Sequence, residues 1–249
     1  MGGRGIAWVA LALASTAGFG SRPARADESM HGEALLAKAI EYHDGQGAWS
    51  RGTFQLTLES RRPDGSRRRT VLVLDNGTGG FSAERETEAG PFVARIGPGE
   101  RCELSLAGST DIPADAVDTL NLTCDRWRLL RDYYSYMWGL PMKLRDPGTR
   151  VDPQVGTAEF QGRPTDVLRV TYASEVGGDT WYLYFEPGTG RAMGYRFYHD
   201  EPTNDGEYIV LEGEVEAGGV RFPRTQTWYM NDDDELLGSD VLVAAERLP

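Results

Sequence analysis

Cysteine and histidine are scarce in this chain of 249 residues, which has two Cys and three His. It also has no Gly-x-Ser-x-Gly nucleophile elbow and no glycine-rich phosphate loop between a strand and a helix. Its acid clusters do not match the spacing of a calcium loop, and two isolated thiols make a poor metal site. We therefore expect neither serine hydrolysis nor nucleotide binding, and we predict no metal and no cofactor.

Long apolar runs are scarce as well. The run over residues 5–19 is about 15 residues long, and a membrane-spanning helix needs roughly 20. It follows a short positive start and precedes the triplet Ala24-Arg25-Ala26, a pattern typical of a cleaved secretory signal peptide. We predict a signal peptide over residues 1–26 and a single periplasmic domain over residues 27–249. An uncleaved N-terminal membrane anchor is the alternative.

Basic residues are fewer than acidic residues, with 26 Lys and Arg against 38 Asp and Glu. The formal net charge of −12 becomes −15 without residues 1–26, because their removal deletes Arg4, Arg22 and Arg25 and no acid. A surface of that sign repels nucleic acid and anionic lipid head groups. High net charge also favours solubility. We therefore expect no nucleic-acid partner and a monomer that does not span a membrane.

The two cysteines, Cys102 and Cys124, both follow the predicted cleavage site. An exported pair with no third thiol is most simply a disulfide. The bond would close a loop of roughly 20 residues and stabilise the fold by about 3 kcal/mol. We predict a structural disulfide that holds a long connection in place.

Hydrophobic periodicity predicts one leading helix and then an antiparallel meander. Residues 31–42 carry an apolar stripe at helical spacing, and alternating apolar and polar residues follow from residue 53 onwards. Two further helices are predicted over residues 114–120 and 126–138, where the strand rhythm stops. The predicted strands cover residues 53–59, 70–74, 80–86, 92–96, 101–106, 158–160, 165–172, 180–185, 192–199, 207–214, 220–230 and 236–248.

Two features leave alternatives open. The segment 132–148 concentrates Tyr, Met, Trp and Leu side chains, which suit either an adaptable binding surface or a helix that plugs the open side of a sheet. The tripeptide Tyr-His-Asp occurs twice, around His43 and around His199. A histidine beside a carboxylate can act as a base or bind a metal, so a pair of histidines meeting in space would allow an enzyme.

A set of longer motifs resembles an uncharacterised family of exported bacterial proteins. It comprises Glu-Tyr-His-Asp at 41–44, Gly-Leu-Pro-Met-Lys-Leu-x-Asp-Pro-Gly at 139–148, Asp-x-Trp-Tyr-x-Tyr-Phe at 179–185, Gly-Tyr-Arg-Phe-Tyr-His-Asp-Glu at 194–201, Asp-Gly-Glu-Tyr-Ile at 205–209 and Thr-x-Thr-Trp-Tyr-x-Asn at 225–231. The order of elements is similar to that of the periplasmic lipoprotein carriers of the LolA and LppX kind. This resemblance implies a mainly β (α+β) fold, in which a strongly curved antiparallel sheet of about eleven strands forms a half-open β-barrel with an N-terminal helix and covering helices. A fold of that kind would bind acyl chains.

We therefore predict an exported, non-enzymatic protein that binds a lipid or a lipoprotein acyl chain in an aromatic-lined cavity, as a carrier or sensor. The predicted cavity wall consists of Phe54, Leu56, Leu58, Trp181, Leu183, Tyr195, Phe197 and Trp228. The predicted lid consists of Tyr136, Met137, Trp138, Leu140 and Met142. The alternatives are an envelope scaffold with a filled core and an envelope protein partner, and a hydrolase or metal enzyme that uses the two histidines.

Overall fold

Twelve antiparallel strands form one open sheet in the computed structural model, which describes residues 31–249. The predicted signal peptide lies outside the described residues. The strands are β1 (Thr53–Arg61), β2 (Arg67–Asp75), β3 (Gly80–Thr87), β4 (Gly90–Ile96), β5 (Cys102–Leu106), β6 (Thr149–Phe160), β7 (Arg163–Tyr172), β8 (Thr180–Phe185), β9 (Ala192–Tyr198), β10 (Glu207–Ala217), β11 (Val220–Met230) and β12 (Leu236–Leu248). The predicted half-open barrel is confirmed, with twelve strands where about eleven were expected.

The first and last strands meet in the middle of this sheet. The spatial order is β5-β4-β3-β2-β1-β12-β11-β10-β9-β8-β7-β6. Because β1 pairs with both β2 and β12, the N-terminal and C-terminal hairpins become one surface. The two edge strands, β5 and β6, are consecutive in the chain and do not pair, so the barrel stays open where the helical connection leaves the sheet.

Within residues 31–249, three α-helices accompany the sheet: α1 (Gly32–Asp44), α2 (Ala114–Leu120) and α3 (Cys124–Gly139). The Thr123 side chain caps α3 by accepting a hydrogen bond from the Arg126 backbone N–H at 3.2 Å. Trp127, Tyr134, Met137 and Trp138 give α3 an apolar stripe at helical spacing, and this stripe packs on the concave face of the sheet. None of the helices in residues 31–249 is long and apolar enough to cross a membrane.

The predicted disulfide is confirmed. Cys102 and Cys124 bond to each other and join the first residue of β5 to the first residue of α3. Short edge strands expose unpaired backbone groups, and here the covalent link brings a helix across that edge. The disulfide therefore ties one end of α3 to the sheet.

The largest error in the predicted elements concerns β6. The sequence predicts only residues 158–160 as strand, whereas β6 runs from Thr149 to Phe160. Most of its side chains are exposed or half-buried, so the alternation that reveals a strand is missing. Pro153 lies within a register shift between Val151 and Val155, a position that proline tolerates because β6 is an edge strand.

Buried apolar side chains form two large clusters on the concave face and one small cluster on the convex face. The first cluster joins β1 to β5 and parts of β10 to β12 with α3 and Met142, and the second joins β7 to β10 with α1, Met137, Leu140 and Leu144. The convex cluster consists of Phe160, Val167, Tyr184, Met193 and Tyr208. At Gly194 an added Cβ would lie 2.3 Å from the Phe160 ring. Glycine therefore allows that ring to pack directly on the backbone of β9.

Candidate functional site

The predicted wall and lid side chains all lie in the concave clusters or pack against them. Phe54, Leu56, Leu58, Trp138 and Met142 belong to the first cluster, Met137, Leu140, Trp181, Leu183, Tyr195 and Phe197 belong to the second, and Tyr136 and Trp228 pack against the second. Leu56 and Leu183 are 0% exposed, and Met137 is 3% exposed. These side chains fill the space between α3 and the sheet. Their contact with a ligand stays a prediction, and for those that line no cavity it requires α3 to move.

Helix α3 is attached very differently at its two ends. At its N-terminal end, next to the disulfide, Arg131 donates to the Glu100 carboxylate at 2.7 Å and Arg128 donates to the Glu100 carbonyl at 2.9 Å. Near its C-terminal end, Gln226 donates to the Met137 carbonyl at 3.3 Å. The Tyr136 and Tyr172 hydroxyls also hydrogen-bond there. The C-terminal end is thus held by side-chain packing and a few neutral hydrogen bonds.

The largest described cavity lies on one side of α3 and has a volume of about 540 Å³. Its apolar lining comes from Ile40, Trp49 and Met142. An adjoining cavity of about 280 Å³ shares Ser135 of α3 with it. Ligand pockets commonly have volumes of roughly 300 to 1,000 Å³, so the larger cavity could hold part of an apolar chain. Only Met142 among the predicted residues lines it.

Smaller cavities follow the other side of α3. One of about 350 Å³ and one of about 180 Å³ share Arg62, Tyr133 and Asp240. A third, of about 180 Å³, lies one helical turn further along and is lined by the predicted residues Tyr136 and Trp181. The Tyr133 and Trp228 rings lie with their centroids 6.1 Å apart and separate these openings from the second cluster.

A polar row crosses the concave face beneath α3. In the strand register Arg68 faces Ser60, Ser60 faces Asp240, and Asp240 faces Gln226. Directly opposed residues share one face of an antiparallel sheet. Ser60 donates to the Asp240 carboxylate at 2.5 Å. Burial raises the pKa of Asp240, while its hydrogen bond from Ser60 and the charges of Arg62 and Arg68 lower it.

Sequence analysis did not identify this row. Its members belong to two hairpins at opposite ends of the chain, and Ser60 and Asp240 are 180 residues apart. Each looks locally like an ordinary polar residue of a strand. The pairing of β1 with β12 brings them together, and only the strand register reveals it.

Comparison with known proteins identifies the family. The model of a family described as "Family of unknown function (DUF6503)" matches residues 24–245. The chain belongs to this family. A search of curated proteins found no match.

Two solved structures have the fold of this DUF6503 chain. A LolA superfamily protein from Nitrosomonas europaea superposes with a TM-score of 0.51 at 11% identity, over 88% of this chain and 94% of that one. A putative outer membrane lipoprotein-sorting protein domain from Vibrio parahaemolyticus superposes with a TM-score of 0.50 at 12% identity, over 87% of this chain and 92% of that one. The predicted LolA-like architecture is confirmed.

The two histidines of the Tyr-His-Asp tripeptides do not meet. His43 is buried, its Nδ1–H donates to the Arg221 carbonyl at 2.8 Å, and its Nε2 accepts from the Ala192 N–H at 3.1 Å. His199 follows the far end of β9, seven strand residues or roughly 20 Å from Ala192. There it pairs with Asp179 at 2.8 Å. An enzyme that uses both histidines at one site is therefore wrong for this structure.

Proposed function

We propose that this protein is an exported, non-enzymatic carrier or sensor, with residues 27–249 acting as a single domain in the periplasm. It binds the apolar chain of a lipid or of a lipoprotein between α3 and the concave face of the sheet. The predicted wall and lid residues become ligand contacts when the C-terminal part of α3 moves outward. Binding then exchanges contacts between side chains for contacts with an apolar chain.

The observation that carries this proposal is the way α3 occupies the open side of the sheet. Its C-terminal half packs on the second cluster through Met137 and on the first through Tyr134 and Trp138. Neutral hydrogen bonds from Gln226 and to Tyr172 fix it there. Apolar packing is non-directional, so an acyl chain of matching volume can replace it at little cost in hydrogen bonds. The disulfide at Cys124 keeps the other end attached during such a movement.

The fold adds support of a more general kind. One solved structure of the same architecture is a putative outer membrane lipoprotein-sorting protein domain, and another is a LolA superfamily protein. A shared fold at 11% and 12% identity does not transfer an activity, because unrelated sites can occupy one fold. The proposal therefore depends on the α3 arrangement, and the fold makes a lipid ligand the first class to test.

Native mass spectrometry tests the proposal most directly. The chain over residues 27–249 is produced in a bacterial periplasm and purified without detergent, and spectra are recorded under native and denaturing conditions. We expect an apolar molecule that is retained in the native spectrum and released on denaturation. A ligand-free mass that does not change after incubation with fatty acids, phospholipids or lipopeptides would contradict the proposal.

Fluorescence quenching locates the chain within the fold. A fatty acid brominated along its chain quenches tryptophan that it touches. We expect the Trp228→Phe variant to lose part of the quenching, because Trp228 packs against the second cluster. Trp127→Phe is the matched control, since Trp127 lies in the first cluster near the disulfide. Equal quenching in both variants would place the ligand elsewhere.

One observation favours a second function, that of an envelope scaffold with a filled core. The predicted wall residues Leu56, Leu183 and Tyr195 are at most 1% exposed, and each packs within one of the two concave clusters. A protein whose concave face is permanently core would bind a partner through its outer surface. Capture of an envelope protein by the ligand-free chain, together with the absence of lipid in native spectra, would support this alternative.

A further inference from the structure

Three arginines line one opening of the half-barrel. Arg62 follows β1, Arg68 lies on β2, and Arg126 lies in the first turn of α3, and all three line the cavity of about 350 Å³. Within residues 31–249, no carboxylate oxygen lies within 4.0 Å of their guanidinium nitrogens. Their charges converge on one cavity from three separate elements of the fold.

This opening has a local excess of positive charge in an acidic chain. The net charge without residues 1–26 is −15, and other arginines on the same helix have carboxylate partners, as Arg131 has Glu100 at 2.7 Å. A fourth arginine, Arg85, has Arg68 and Arg126 as charged neighbours, and its guanidinium lies 4.8 Å from the Trp127 ring. Like charges held together repel one another, and a bound anion would remove that repulsion.

The cavity also contains groups that suit a ligand with both a phosphate and a hydroxyl group. The Asp240 carboxylate accepts a hydrogen bond from Ser60 at 2.5 Å and leaves the arginines in excess by two charges. A phosphate monoester carries about −1.5 to −2 charges at pH 7, which matches that excess. Arginine is suited to it because its planar donors bind two phosphate oxygens at once. The carboxylate can accept from a hydroxyl group of the same ligand.

Apolar side chains border this cavity on the side of α3. Leu129 is 64% exposed and Tyr133 is 38% exposed, and they are four residues apart on the helix. Tyr133 in turn contacts Trp228, which packs against the second cluster. The opening thus offers cations and an apolar border together, and that border leads towards the proposed position of the acyl chain.

We propose that this opening binds the phosphoryl head group of an acyl amphiphile, held by Arg62, Arg68 and Arg126. The inference depends on the proposed carrier function for the acyl part of the ligand. It adds the chemical class of the ligand, a phospholipid-like molecule with an anionic phosphate, and its orientation. The head group lies at the end of the concave face marked by Ser60 and Asp240, and the chain extends along α3.

Three probes separate the head group from the chain. They are lauroyl lysophosphatidic acid, monolauroylglycerol, which has the same chain without the phosphate, and glycerol 3-phosphate, which has the phosphate without the chain. Affinities for the mature protein are measured by calorimetry below the micelle concentrations. We expect lysophosphatidic acid to bind at least about tenfold more tightly than monolauroylglycerol, and this preference to shrink in high salt.

Arg68→Gln and its neighbour Arg69→Gln form the matched pair of variants. Successive residues of a strand face opposite sides, so Arg69 lies on the convex side of β2 and is a control for the loss of one charge. We expect Arg68→Gln to lose about tenfold in affinity for lysophosphatidic acid with no change for monolauroylglycerol. Arg69→Gln should bind like the wild type. Thermal melts of both variants verify folding, which these exposed positions should not disturb.

The outcomes distinguish the two proposals. Equal affinity for the two lauroyl ligands, or equal effects of Arg68→Gln and Arg69→Gln, would overturn the head-group site and leave the carrier function standing. Binding of glycerol 3-phosphate alone, lost in Arg68→Gln, would support a phosphate site and overturn its lipid source together with the carrier function. Binding of none of the three probes would overturn both proposals.

Discussion

The two apolar clusters of the concave face are similar in composition and differ in how the chain closes over them. The first cluster is covered by α3 from Trp127 to Trp138, and a disulfide and the Glu100 contacts hold the N-terminal part of this helix in place. The second is covered by the end of α3 around Met137, by Leu140 and Leu144, and by α1. Covalent and charged contacts therefore hold α3 only over the N-terminal part of the first cluster, whereas packing and neutral hydrogen bonds hold it over the second. The difference indicates which end of α3 can open.

Charging the second cluster should have the largest effect. Met137 is 3% exposed, so Met137→Asp buries a carboxylate without a partner and should lower the free energy of unfolding by more than about 4 kcal/mol. Met137→Leu should cost less than about 1.5 kcal/mol. Urea unfolding measures both. A well-folded Met137→Asp variant that has lost only ligand binding would show that Met137 covers a cavity, as the sequence prediction of a lid implies.

Removing the disulfide should make the two ends of α3 alike. The Cys102→Ser and Cys124→Ser double variant opens a loop closed over a separation of 22 residues and should lose about 3 kcal/mol. In hydrogen exchange, the first turns of α3 should become as labile as its last turns. If the last turns still exchange faster by the same margin, the disulfide is not the cause of the difference between the clusters.

Removing the Gln226 hydrogen bond at the C-terminal end of α3 should have a smaller effect on stability. In Gln226→Leu the buried Met137 carbonyl loses its donor, which should cost about 1 to 3 kcal/mol. The expected signature is faster hydrogen exchange confined to residues 134–139, with the disulfide end unchanged. Gln55→Leu on β1 is a control, because Gln55 donates to Glu246 at an exposed position. Similar losses in both variants would count against a role for Gln226 in holding α3.

A pH effect links the second cluster to α1 through His43. Burial lowers the pKa of His43 below its ordinary value of 6.5. Protonation of Nε2 would also break the hydrogen bond that it accepts from the Ala192 N–H. Its stabilising contribution is complete above pH 6.5 and is lost as the pH falls through the lower folded pKa. Between pH 7.5 and 5.5, wild type should therefore lose more stability than His43→Gln.

His199 provides the control with the opposite sign. Its hydrogen bond to Asp179 raises its pKa, so any contribution is complete below pH 6.5 and is lost as the pH rises. The His199→Gln variant should keep the acid-induced loss seen in wild type. A wild type and a His43→Gln variant with the same pH dependence would show that the bonds of His43 do not couple its protonation to folding.

Much of the fold could be predicted from local patterns. The strands over residues 180–185, 220–230 and 236–248 agree with β8, β11 and β12 at both ends, because alternation and turn residues are encoded within a few positions. The first part of β6 could not be found, since an exposed edge strand with a proline lacks alternation. For the site, the sequence identified the residues of the concave face but not whether they contact a ligand or each other. Apolar side chains look the same in both situations.

The chain's sequence alone determined the order of its elements, the apolar faces of β1 and α3, and the pairing of its only two cysteines, because each depends on short-range periodicity or on composition. The tertiary structure alone decided what those faces meet. It placed His43 and His199 at opposite ends of β9, although their tripeptides are identical. It also brought Ser60, Arg68 and Asp240 to one opening. Such neighbours depend on strand register, and register results from the packing of the whole sheet.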